Sequence, residues 1–384
     1  MIETDITLIL TLSLIILGSP FLAKILRIPT PPVEIILGAL FSTLGFIHHN
    51  VYFNLIGEVG FLYLMFLAGM EVNLKTIGQS SKEVLQRASL FIGLMILFSL
   101  FFGLLLGFNV VVIVSLPLIS IGLLASLSKT YGKEQEWIHL AFIAGALGEI
   151  MSITALTIFD AAIATGFSMA LLEKVGYLFA FVAMIYLLYR LLHLLFWWMP
   201  ELKTLLIPKL DTSDQDIRFA MALFFIFITV MLALELELAL GAFIAGVGIT
   251  AFFHHEKRLE EKMSSLGFGF LVPLFFIHVG ASFELSSLLD IEVLKGAFLI
   301  VGVMLLSRIF AGVVLKEIVG VRYALLVALS LSMPLTLLVA VATIGYETKL
   351  MDLTHYYQLI LASILEVLFA MTAIKLLKRG EIKD

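Results

Sequence analysis

An all-helical polytopic membrane protein is the fold class this sequence predicts, with about 13 transmembrane helices arranged as two inverted-topology repeats. Three observations lead there. Of the 384 residues, 61% are hydrophobic and only 14% are charged, and mean hydropathy is +1.11. A soluble domain carries about 25% charged residues, so a globule this apolar could not cover its own surface with polar groups. The apolar residues also run in thirteen stretches separated by short polar connections. Finally, parts of the first half of the chain reappear in the second.

This composition excludes a soluble enzyme, a nucleic-acid binder and a disordered chain. There is no cysteine, hence no disulfide framework and no thiolate chemistry. The opening Met1-Ile2-Glu3-Thr4-Asp5 has no Lys or Arg before the first apolar run. A signal peptide needs a basic segment there, so the first run is expected to persist as a helix.

A helix needs about 20 mostly apolar residues to cross the hydrocarbon core. The thirteen stretches are 5–26, 33–47, 55–73, 86–107, 110–128, 137–164, 172–196, 217–234, 238–254, 265–283, 293–315, 321–346 and 355–377. The second and ninth are too short to cross without tilt or local thinning. The fifth is interrupted at Pro117 and Gly122, and the twelfth at Pro334. Connections are short, and the longest runs from about Trp197 to Asp216. A single transmembrane domain over 1–384 is therefore expected, with repeats over about 1–164 and 217–377, a linker helix over 172–196, and no cytosolic regulatory domain.

The basic residues set the orientation. With the N-terminus outside, twenty of the 24 Lys and Arg fall on the cytoplasmic side. Only Lys174, Lys295 and Lys349 fall outside, and Arg308 lies within a span. Cytoplasmic loops carry such an excess, and a wrong helix count would scramble it. An external N-terminus and a cytoplasmic C-terminus follow.

The repeat shows in two places. Gly38-Ala39-Leu40-Phe41 and then Phe66 to Leu74 look like Gly241-Ala242-Phe243-Ile244 and then Phe276 to Leu285. Gly69 matches Gly280 and Leu74 matches Leu285. Seven spans separate the copies, an odd number, so they sit upside down relative to each other. Secondary transporters are built this way, with the binding site where the repeats meet. The interrupted stretches also correspond: Ile119-Ser120-Ile121-Gly122 falls opposite Leu329-Ser330-Leu331-Ser332, which Met333-Pro334 follow. Unwound backbone exposes polar groups that lipid cannot satisfy. Such breaks mark either a binding site or a simple proline kink.

Four ionisable residues lie deep in spans: Glu149, His278, Arg308 and Glu366. A charge at the bilayer centre costs about 2.5–3.5 kcal/mol on the insertion scale, so such groups mark ion or proton pathways. Glu149 and Arg308 have opposite signs and suggest a pair, either an exchange site or a static salt bridge. His278 reads first as a satisfied core histidine and second as a proton site. Glu366 reads as interhelical glue or a second proton carrier. No Ser-His or metal-ligand spacing at helical period occurs in the spans, so neither an enzyme nor a cofactor is expected.

Three blocks now resemble a known family. Gly57-Glu58-Val59-Gly60, followed by Leu64-Met65-Phe66-Leu67-Ala68-Gly69-Met70-Glu71-Val72, is similar to the "EIGVVLLLFLIGLEL" helix of the monovalent cation:proton antiporter-2 family, which includes Kef-type and NapA-type sodium or potassium/proton antiporters. Gly241-Ala242-Phe243-Ile244-Ala245-Gly246 resembles its "GAFLAG". Pro273-Leu274-Phe275-Phe276-Ile277-His278-Val279-Gly280-Ala281-Ser282 resembles its "PLFFxxVGMS". The resemblance covers nearly the whole chain. It implies an NhaA-like fold with crossed discontinuous helices, exchange of Na+ or K+ for protons by an elevator-type mechanism, and a homodimer among membrane lipids, in a bacterial inner membrane.

The resemblance also implies roles for particular residues. Glu149 takes the place of the family's ion-binding Asp, and Gly148 stands where the family has an amide. Arg308 takes the place of a charge-compensating Lys. Glu149 would then bind Na+, K+ or a proton, with backbone carbonyls at Gly122 and Leu123 and the hydroxyl of Ser152 as further oxygens. Pro117, Ser332 and Pro334 mark the discontinuous helices. Gly122-Leu123-Leu124-Ala125 lacks the hydroxyls of the family's "SSTA", and Ser332-Met333-Pro334-Leu335 lacks the Glu of its "GSEF". Two other functions fit the same frame: a Na+-coupled solute carrier, and a non-transporting sensor.

Overall fold

The computed structural model describes residues 2–26, 28–48, 50–72, 78–121, 123–132, 134–166, 169–199, 214–253, 257–282 and 290–379. Each of the thirteen apolar stretches is helical over most of its length. Eight helices among the described residues are long and apolar enough to cross a membrane, and two shorter apolar helices, Leu238–Ala251 and Leu335–Glu347, accompany them.

In chain order the helices are α1 (Ile2–Leu26), α2 (Thr30–Thr43), α3 (Val51–Glu71), α4 (Lys82–Leu105), α5 (Val110–Ser115), α6 (Leu124–Tyr131), α7 (Glu136–Thr165) and α8 (Met169–Trp198). After them come α9 (Gln215–Ala233), α10 (Leu238–Phe253), α11 (Lys257–Leu266), α12 (Val272–Ala281), α13 (Ile291–Gly312), α14 (Lys316–Ser330), α15 (Leu335–Glu347) and α16 (Leu353–Arg379). A π-helical turn, Gly267–Leu271, joins α11 to α12. Pro273 accounts for it. Proline has no N–H, and its ring clashes with the carbonyl four residues back. Widening the turn relieves the clash, and Val272 N–H reaches back to the Gly267 carbonyl. Near the other end of the chain, Gly320 has φ 79° and ψ 167°. That left-handed value suits glycine and divides one long apolar run into two spans.

The helices fall into two compact units. One comprises Met1–Glu58, Thr76–Ser152 and Pro273–Asp384; the other comprises Val59–Lys75 and Ile153–Val272. In the first, α13 packs between α4 and α16, and α15 packs on α5 and α16. In the second, α9 packs on α10. One face of α1 buries Leu8, Leu12 and Ile15 in a cluster with Ile47, Phe53 and Ile277. Its other face leaves Ile9, Leu17 and Ile25 exposed, as a helix bathed in lipid requires.

Each unit contains one close helix crossing, built the same way. In the first, a Cβ on Gly38 of α2 would strike the Ile277 carbonyl, and one on Gly280 of α12 would strike the Ile35 carbonyl. In the second, a Cβ on Gly246 of α10 would strike the Phe66 carbonyl, and one on Gly69 of α3 the Phe243 carbonyl. Glycine lets two backbones approach this closely. The two crossings fix the register of the repeat. Gly69 corresponds to Gly280, as the sequence match has it. Gly38 corresponds to Gly246, however, and not to Gly241, which packs against Phe227 and Met231 of α9.

Candidate functional site

Both interrupted stretches are broken helices, and both breaks lie in the first unit. α5 ends at Ser115, the chain turns through Leu116 and Pro117, and Leu118 to Ile121 lie outside any helix. α14 ends at Ser330, and α15 begins at Leu335 with Pro334 as its N-cap. Neither pair of half-helices carries its regular ladder of backbone bonds across the gap, so the groups left over find other partners.

At the first break those groups come from α7. Glu149 and Ser152 are both fully buried and stand one turn apart on one face. The Oε2 of Glu149 accepts from the Ile121 N–H at 3.2 Å, and its Oε1 accepts from the Ser120 hydroxyl at 3.1 Å. The Ser152 hydroxyl accepts from the Ile119 N–H at 2.8 Å and donates to the Gly148 carbonyl at 2.7 Å. Close approach explains Gly148, where a Cβ would collide with the Ile119 side chain. The carboxylate thus sits in the break itself, against Ser120 and Ile121 ahead of α6. A free N–H and a hydroxyl pointed at one site favour an anion there.

Arg308 faces the opposite polarity. Its guanidinium is fully buried. It donates to the Leu118 carbonyl at 2.6 Å, the Leu331 carbonyl at 3.3 Å and the Met304 carbonyl at 3.1 Å. Leu118 and Leu331 lie just past the C-terminal ends of α5 and α14, where carbonyls go unpaired and the dipole is negative. One cation therefore holds both breaks.

The expected pairing of Glu149 with Arg308 is corrected here. Arg308 pairs with Glu366 of α16, its Nη1 3.4 Å from Oε1. Opposite signs in two spans do not fix which helix faces which, and Arg308 points to the carbonyl side of the first break while Glu149 takes the N–H side.

The other expected residues are placed as follows. Gly122 lies outside the described residues. Leu123 is partly buried, and its carbonyl accepts from the Leu127 N–H, which begins α6; no bond joins it to Glu149. The Ser332 hydroxyl donates to the Ala328 carbonyl at 2.9 Å, within its own stretch. His278 of α12 meets Asn54 of α3, Nε2 to Oδ1 at 3.1 Å, and its ring stands edge-on to Phe53. It is partly buried among these neighbours. Among the described residues, no group of three or more His, Asp or Glu is poised to hold a metal.

Sequence reasoning missed Ser120. The family resemblance places the hydroxyls at Gly122 to Ala125, whereas the hydroxyl that reaches the carboxylate stands two residues earlier. Its place in the break, at a residue able to turn toward α7, was the available signal.

Comparison with known proteins identifies the family. The family model for the transmembrane sodium/hydrogen exchanger matches residues 9–378. The putative Na+/H+ antiporter YjbQ of Bacillus subtilis is 31% identical over 143 residues, which are 37% of this chain and 23% of that protein. The chain thus matches under a quarter of that relative's length. The Na+/H+ antiporter of Enterococcus hirae is 23% identical over 377 residues, covering 91% of each chain. Among solved structures, the sodium proton antiporter MjNhaP1 from Methanocaldococcus jannaschii at pH 8 superposes with a TM-score of 0.64 over 98% of both chains, at 17% identity. The fold is shared with that antiporter.

Proposed function

The chain belongs to the sodium/hydrogen exchanger family, and on that premise we propose that it exchanges a monovalent cation, Na+ or K+, for protons across the membrane. Glu149 is the group that carries either one. The observation that supports this most is its setting: a fully buried carboxylate at a helix break, held by one hydroxyl and one N–H and not neutralised by the nearby arginine. A proton or a cation can each complete its charge, and one excludes the other. An alkali cation takes several hard oxygens; the two oxygens of Glu149, the Ser120 hydroxyl and break carbonyls are the candidates.

Arg308 retains its charge throughout, because a guanidinium does not release its proton in proteins. Its pairing with Glu366 keeps that charge balanced and leaves Glu149 free to alternate. Access alternates by an elevator-type motion of a core bundle against a dimerising scaffold, in a homodimer. The protein is an integral membrane protein, and we place it in a bacterial inner membrane with its N-terminus outside. The repeats span about 1–164 and 217–377 around a linker helix. Proteoliposomes with a trapped pH dye and a panel of Li+, Na+, K+ and Rb+ test the reading. A pH change driven by Na+ or K+ is expected; silence across the panel overturns it.

A further inference from the structure

The buried cluster contains an acid that exchange at Glu149 does not use. Both oxygens of Glu366 are fully enclosed, and neither has a hydrogen-bond partner. Its stabilising neighbour is Arg308, at 3.4 Å. A hydrogen-bonded ion pair closes to about 2.7–2.9 Å, so this is a charge-to-charge contact without a bond. A buried carboxylate held so loosely is a poor way to add stability, because desolvating the pair offsets its attraction. What the pair does have is position. Arg308 spends its donors on carbonyls, and two of these, Leu118 and Leu331, end the half-helices at the two breaks. Carbonyls alone do not neutralise a guanidinium. Glu366 supplies the anion that keeps it there.

We infer that Glu366 is a positioning residue of the exchange site, acting through Arg308 to hold the two helix breaks in register beside Glu149. This rests on the exchange reading above, but its consequence is structural at a distance: a change on α16 loosens two segments elsewhere in the chain. A purely packing role for Glu366 would lower overall stability and leave the breaks no looser than the rest.

The test uses full-length protein in proteoliposomes, as wild type and as Glu366→Gln, Glu366→Asp and the double change Glu366→Gln with Arg308→Gln. Backbone hydrogen exchange is followed at 118–121 and 331–335. Glu366→Gln is expected to speed exchange at both breaks together, and Glu366→Asp to restore most of the protection. In cation-driven flux, Glu366→Gln should raise the apparent KM about 10-fold or more, the usual cost of losing a supporting partner behind a binding group. The double variant removes both charges, so it folds even where the single change does not, and it should show the same loosened breaks. Unchanged protection at the two breaks, in the single variant or the folded double variant, overturns the inference. Wild-type protein without flux overturns the exchange reading, and the hydrogen-exchange result still decides the role of Glu366.

Discussion

The two helix breaks have the same place in their spans and are held in different ways. The break between α14 and α15 is closed mostly by its own stretch of chain, with one bond from Arg308 to the Leu331 carbonyl. The N–H groups of Leu331 and Ser332 reach back to Val327 and Leu329, and the hydroxyls of Ser330 and Ser332 reach back to Val327 and Ala328. Pro334 has no N–H to satisfy. The break between α5 and α6 is held by another helix, through Glu149 and Ser152. A break closed by its own backbone is a fixed element. One closed by an ionisable side chain changes its bonding whenever that side chain changes charge. That contrast supports placing the proposed chemistry at the α5–α6 break.

Substitutions can sharpen the contrast. The largest loss of stability is expected from Arg308→Gln, which strands Glu366 as a buried unpaired charge. Removing one partner of a buried pair costs roughly 3–5 kcal/mol, read as a marked fall in the melting temperature of the purified protein. Adding Glu366→Gln should restore most of it. Next comes Ser152→Ala, which leaves the Ile119 N–H without its acceptor at a cost of about 1–3 kcal/mol. Smallest is Ser332→Ala. Its hydroxyl bonds a carbonyl of its own stretch and no other helix, so the melt should move by less than it does for Ser152→Ala, about 0.5–1 kcal/mol in equivalent stability. A Ser332→Ala effect as large as that of Ser152→Ala would erase the distinction between the breaks.

The glycine crossings offer a separate comparison between the units. Gly280→Ala and Gly246→Ala each push a methyl into a carbonyl oxygen. Overpacking of this kind costs typically about 1–3 kcal/mol, and the two variants should lose stability alike if the crossings are true counterparts. Gly248→Ala, whose Cβ would meet only the Leu223 side chain at 3.7 Å, is the control and should melt as wild type does.

Much of this was legible in the residues. Long apolar runs have few alternatives to helices, so the spans and both breaks could be placed from sequence. Glu149, Arg308 and Glu366 stood out because charges within such runs are costly. Partner choice was not legible. Two acids and one arginine in three spans admit two pairings, and only the rotation of α7 and α16 about their axes decides for Glu366. Ser120 was overlooked because the break is held largely through backbone N–H groups, which every residue but proline carries. The repeat register slipped by five residues at Gly241 because α10 has three glycines, Gly241, Gly246 and Gly248, and a four-residue match cannot say which of them faces a neighbouring backbone. The π-helical turn had a signal in Pro273, but a proline kink and a widened turn read alike in sequence.

At the centre of the proposed mechanism, Glu149 alternates between a proton and a cation. Cation-driven proton flux in proteoliposomes carrying Glu149→Gln tests this most directly. The amide oxygen can still accept from the Ile121 N–H, and Arg308 keeps Glu366, so the variant should fold and melt close to wild type. It cannot exchange a proton for a cation, so flux should fall to the level of empty vesicles, while Glu149→Asp keeps a measurable part. A folded Glu149→Gln protein that exchanges cations for protons at the wild-type rate would contradict that mechanism.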